Sequence, residues 1–214
     1  MPNWITQFFS SRRKPESVDP DVLAQYRKRG EDALGAGDLA AAYACYREAV
    51  AACPFEAGFY CRLGYVCLEL DQVEQASLYL QQAMRLDATA EACYLSGLAE
   101  QRKGQTGPAE ALFRQALAVA PDFENAYFEI MQLLAASGRI EQAIALAEEG
   151  IRYCPNSVEL LFRLANLNHA AGRVDAAAAG LSRIVGLVPQ HVEALSYLGM
   201  VHLQAGCLDR KSVV

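Results

Sequence analysis

The chain has 214 residues, 53% of them apolar, with 25 acidic and 19 basic residues and a net charge of −6. That is enough for one large domain or two small ones with a substantial core, and it excludes a disordered chain. The acidic balance also excludes a general nucleic-acid binder, which needs a basic face to neutralise phosphates, and no apolar run is long enough to span a membrane.

The first 22 residues form a segment of their own. Trp4, Ile5, Phe8 and Phe9 fall at i, i+1, i+4 and i+5, one face of a helix. Arg12, Arg13 and Lys14 follow, no acid occurs before Glu16, and Pro15 ends any helix. The apolar run is too short for a secretory signal, and its basic cluster is on the wrong side. Three roles are open. The segment contacts an anionic membrane surface through Trp4, Ile5, Phe8, Phe9, Arg12 and Arg13, or docks a partner, or folds back as a cap. Pro15 to Pro20 reads as a short linker.

From Leu23 to Gly206 the chain repeats itself with a period of 34 residues. Pro54, Pro121, Pro155 and Pro189 mark the period, with Ala88 in the place of the missing proline. A small residue recurs as Gly30, Gly64, Gly97, Ala165 and Gly199, and alanine as Ala42, Ala76, Ala109, Ala143 and Ala177. A large residue recurs as Tyr26, Tyr60, Tyr127, Leu161 and Leu195. A second large column reads Tyr46, Leu80, Phe113 and Leu181, with Ala147 as its exception. Turn pairs fall between: Gly37-Asp38, Asp71-Gln72, Gly104-Gln105, Gly138-Arg139 and Gly172-Arg173. Each period reads as two helices of about 13 residues. The turn glycine takes the left-handed cap at no steric cost. The small residues let the two axes approach, large residues fill the space around them, and proline stops the second helix. Some positions depart from the pattern. Glu100, Asn168 and His202 occupy a column that prefers an apolar residue. Gly107-Pro108 opens the second helix of the third period. Met131 replaces the small residue of the fourth, and is expected to push its two helices apart.

These columns resemble the tetratricopeptide repeat (TPR) family. The resemblance covers residues 23–206, as repeats near 23–56, 57–89, 90–123, 124–157 and 158–191 and a partial one at 192–206, with a tail at 207–214. It implies an all-α fold, an α-solenoid of stacked antiparallel helix pairs wound as a superhelix, because no repeat buries its apolar stripe alone. It also implies that the first helix of each repeat lines a concave face. Helical spacing then gives the side chains that point there. The fifth positions supply an aromatic row, Tyr94, Phe128 and Phe162, which Tyr65 and Leu98 extend from the ninth. Gln132 and Asn166, with Asn125, are placed to bond the backbone of an extended peptide. The expected peptide groove is therefore Tyr65, Tyr94, Leu98, Phe128, Gln132, Phe162 and Asn166; the other reading is that its aromatics pack against the neighbouring repeat. Two specialised sites of the family are missing. Glu31, Glu91 and Leu95 stand where a chaperone-tail carboxylate clamp needs asparagine, lysine and arginine. The sixth positions read Lys28, Arg62, Leu95, Glu129, Arg163 and Tyr197, so the asparagine ladder of the sugar-transferring members is lacking.

The first helix of the sixth repeat stays apolar through Leu195, Leu198, Met200, Val201 and Leu203, where a terminal cap presents a polar face. Either the chain is a piece of a longer protein, or another subunit covers that edge by self-association. The seven cysteines form no C-x-x-C pair, and with His169, His191 and His202 they show no metal-ligand spacing. They read as small buried hydrophobes. No nucleophile motif or phosphate loop is present. The expectation is a non-catalytic interaction module or scaffold that holds a protein or peptide in its groove, with no cofactor, metal or nucleic acid. Two alternatives stand beside it: the substrate-recruiting N-terminal region of a larger bacterial glycosyl- or methyltransferase, and a membrane-associated assembly or secretion factor. The alanine-rich composition, the pI of about 5.1 and the lack of a secretory signal point to a bacterial cytoplasm.

Overall fold

The structure, a computed structural model, describes residues 19–211, with side chains through residue 203. The amphipathic segment from Trp4 to Lys14 lies outside the described residues. Within them the fold is all-α, and no strand occurs. In chain order the helices are α1 (Pro20–Gly35), α2 (Leu39–Ala52), α3 (Ala57–Glu69), α4 (Val73–Leu86), α5 (Ala90–Arg102), α6 (Thr106–Val119), α7 (Glu124–Ala136), α8 (Ile140–Tyr153), α9 (Val158–Ala170) and α10 (Val174–Leu187), with α1 and α2, α3 and α4, α7 and α8, and α9 and α10 packed as hairpins. The last helix, α11, spans Val192–Lys211. This succession of helix hairpins is the architecture of an α-solenoid.

Local chemistry sets the helix ends. Asp38, Thr89 and Ser157 accept hydrogen bonds from the backbone N–H three residues on, at 2.9, 3.2 and 3.2 Å, and cap α2, α5 and α9. Between the helices of each hairpin the chain turns in the left-handed conformation: φ is 72° at Gly37, 77° at Gly104, 74° at Gly138 and 75° at Gly172. The next N–H then reaches the carbonyl five residues back, as from Asp38 to Ala33 (2.9 Å) and from Arg139 to Leu134 (2.8 Å). The second hairpin makes the same turn without glycine. Asp71 holds φ at 58°, and Gln72 still bonds the Cys67 carbonyl at 2.8 Å.

The chain divides into two compact units, one ending at Gln105 and the next beginning at Thr106. In the first, Gly30 and Gly64 are buried against side chains of the following helix. A Cβ on Gly30 would overlap the Tyr46 ring, and one on Gly64 would lie 2.6 Å from Leu80 Cγ. Tyr46, Leu63, Cys67, Leu80 and Ala83 build the core there, and Phe59 sets its ring edge-on to Tyr26, centroids 6.3 Å apart. The Tyr60 hydroxyl donates to the Pro54 carbonyl at 3.2 Å, tying the proline turn to the helix that follows it.

In the second unit the Tyr127 hydroxyl makes the equivalent bond to the Pro121 carbonyl at 3.0 Å. Leu161, Ala165, Leu181, Ile184, Ala194 and Val201 form a core cluster among α9, α10 and α11. Met131 is buried on α7, and the repeat register places it opposite the equally buried Ala147 on α8. Every other hairpin has a small residue followed by a large one at this spacing; here the sizes are exchanged.

Asp71→Gly is expected to raise stability by about 0.5–1 kcal/mol: the left-handed conformation costs a residue with a Cβ more than glycine loses in chain entropy. Urea denaturation of the two proteins measures it.

Candidate functional site

In the first unit Tyr65 on α3 and Tyr94 and Leu98 on α5 are half-buried, packed against the core cluster that contains Leu63, Val66 and Leu95. The two helices are braced by charge. Arg62 pairs with Glu91 at 3.3 Å and Arg102 with Glu69 at 3.9 Å, and Arg102 also donates to the Leu68 carbonyl. These pairs are exposed, so each adds little stability, but together they fix which faces of α3 and α5 lie side by side.

In the second unit α7 carries Phe128 and Gln132, and α9 carries Phe162 and Asn166. Gln132 and Asn166 are exposed and border one concavity of about 380 Å³ between the two helices. Met131, Ala135, Ala136 and Leu167 line it with apolar surface, and Arg163 joins the two amides as its third polar group. A shallow apolar recess with amide groups at its edge takes an apolar side chain while the amides bond a neighbouring backbone. The aromatics are already engaged. The Arg163 guanidinium lies over the Phe128 ring, 4.9 Å from its centroid, while Arg163 Nε is 2.7 Å from Glu159 Oε1. Phe162 stacks on His191 with centroids 6.0 Å apart and leans on Tyr197 of α11 at the same distance. His191 Nδ1 in turn accepts the Ala194 N–H at 3.2 Å and caps α11.

Arg163 is the group the sequence pattern passed over. It stands in the sixth position, the column without an asparagine ladder, and it touches both Phe128 and the concavity. Its proximity to a residue 35 places earlier is created by the stacking of α7 on α9, and no local spacing reveals it.

Reactive chemistry is muted. Cys45, Cys53, Cys61, Cys67 and Cys93 are buried free thiols, and burial pushes Cys61 up to about 12 and Cys67 up to about 11, so both stay protonated and unreactive. Among the described residues no three His, Cys, Asp or Glu side chains gather as a metal site requires. Also among them, no helix is long and apolar enough to cross a membrane.

The second unit also carries a ladder of ion pairs from turn to helix. Arg139 reaches back to Glu110 on α6 at 2.5 Å, and Arg173 to Glu141 on α8 at 2.6 Å. Glu110 also holds Arg114 at 2.9 Å. Partial burial pushes its carboxyl upward, but hydrogen bonds from Arg139 and then Arg114 outweigh that and leave it below its ordinary value of 4.5.

A family model described as tetratricopeptide repeat matches residues 94–152 and again 130–191, and a second of the same description matches 57–89. Comparison with curated proteins finds no match. Solved structures of similar fold include MamA, 20% identical over 79% of this chain and 93% of that one, with a TM-score of 0.63. YrrB, described as a TPR protein with an unusual peptide-binding site, is 18% identical over 80% of this chain and 89% of that one, at 0.59. The thermophilic TPR protein TTC0263 of Thermus thermophilus is 18% identical over 84% and 98%, at 0.61. At these identities the likeness is one of fold.

Because Glu110 titrates lower folded than unfolded, its stabilisation is complete above the ordinary carboxylate value of 4.5 and is lost as pH falls through the depressed one. Glu110→Gln is therefore expected to be less stable than wild type at neutral pH. The gap should close as the pH falls below 4.5, followed by thermal melts across that range.

Proposed function

We propose that this chain, which belongs to the tetratricopeptide repeat family, holds an extended segment of a partner protein against the first helices of its repeats. Family and fold are those of protein-interaction scaffolds, typically without catalytic activity of their own. The observation that carries the finer reading is the concavity between α7 and α9, with Gln132, Asn166 and Arg163 around an apolar lining. An extended peptide leaves backbone donors and acceptors free, and primary amides satisfy both kinds. The recess accepts one apolar side chain of the same peptide. YrrB, with the same fold, is described as having a peptide-binding site, which supports this use of the surface.

The aromatic row enters the proposal in an altered role. Phe162 is held by His191 and Tyr197, and Phe128 is covered on one face by Arg163. They act as walls that fix Arg163 and the start of α11, while Gln132 and Asn166 meet the ligand. Tyr65, Tyr94 and Leu98 offer half-buried apolar surface on first helices of the first unit, a second place for such a segment.

The test is selection of a displayed peptide library on the full chain. Selected peptides are expected to bind Gln132→Ala/Asn166→Ala at least about tenfold more weakly, a loss of ~1.4 kcal/mol. Both positions are exposed, so the melting temperature should be unchanged. Equal affinity for both proteins would place the binding surface elsewhere.

A further inference from the structure

The first helices of inner repeats are covered by the second helix of their own hairpin. Tyr60, Tyr127 and Leu161 are accordingly 5%, 1% and 2% exposed. At the same repeat position on α11, Leu195 is 44% exposed. Gly64 is filled by Leu80, but among the described residues nothing lies within 4 Å of a Cβ placed on its equivalent, Gly199. One turn further, Leu203 is 75% exposed. Val192, Leu195, Gly199 and Leu203 follow at helical spacing and share one face, opposite the buried Ala194 and Val201. The face has the shape that elsewhere in this chain receives an antiparallel helix, with a large side chain seated on the glycine. The concave positions of the same helix, Ser196 and Met200, border it on one side.

We propose that this face is a self-association surface: a second copy of the chain docks its own α11 antiparallel against it, Leu203 of each copy seated on Gly199 of the other. The face carries both knob and hole. A two-fold axis level with Val201 brings position 203 onto position 199 twice over, and two-fold symmetry makes the helices antiparallel, as in the hairpins. Val192, Leu195, Gly199 and Leu203 are uncharged, so two identical faces meet without like-charge repulsion. The apolar residues of the N-terminal sequence, Trp4, Ile5, Phe8 and Phe9, are all large, so that sequence lacks the pairing of a glycine with a large residue that α11 has.

Light scattering behind size exclusion reads the outcome on the full chain. Wild type is expected at twice the 23.3 kDa chain mass. Leu203→Glu, which charges the knob, and Gly199→Leu, which fills the hole without charge, are each expected to return the single-chain mass with helical circular dichroism unchanged. Removing residues 1–18 is expected to leave the doubled mass intact. A single-chain mass for wild type would overturn the proposal, as would a doubled mass retained by either substitution. Loss of the doubled mass on removing residues 1–18 would also overturn it, and would make that segment the occupant.

Discussion

Everything in this molecule depends on how closely the two helices of a hairpin approach. Two α-helices bearing ordinary side chains at their crossing stand apart; a residue without a side chain on one lets a large side chain from the other lie directly on the backbone. Gly30 with Tyr46 and Gly64 with Leu80 make this contact, and each glycine is buried by it. The close approach covers apolar residues such as Tyr60, and the left-handed turn returns the second helix onto the first. Ridges and recesses between successive first helices follow from the stacking of hairpins built this way.

That contact is also what made the fold readable. Small and large columns separated by a constant interval announce paired helices, and glycine before a polar residue announces the turn. The start of α3 at Ala57, of α7 at Glu124 and of α9 at Val158 falls at the first residue of the period. The exceptions show where column reading fails. Met131 breaks the small column and Ala147 breaks the large one; each alone looks like damage, while together they keep the summed size of the two columns, and both are buried. Asp71 holds a glycine conformation because the flanking helices impose it, so the turn is set by packing as well as by residue type.

The interaction surface was less legible. Helical spacing is enough to place Gln132 and Asn166 on the same side of α7 and α9, because it depends only on the periodicity of a helix. It does not say what a neighbouring helix has already claimed. Phe162 occupies a ring position in the aromatic row, but the stack with His191 and Tyr197 spends that ring on contacts with the next repeat. Arg163 is invisible to periodicity, since its value comes from lying over Phe128. Gln132 and Asn166 stay exposed because they are too polar for the core to absorb. Val192, Leu195, Gly199 and Leu203 on α11 are the reverse case: residues patterned for burial that no described helix covers.

The central claim, that size complementarity at the hairpin contact holds each repeat, is tested most directly by a double-mutant cycle at Gly64 and Leu80, with folding free energies from urea titration. Gly64→Met and Leu80→Ala each remove the complementarity, and together they recreate the Met131–Ala147 arrangement. Both single variants are expected to be destabilised, and the double variant to lose less than the sum of the two by at least about 1 kcal/mol. Additive losses would contradict the claim.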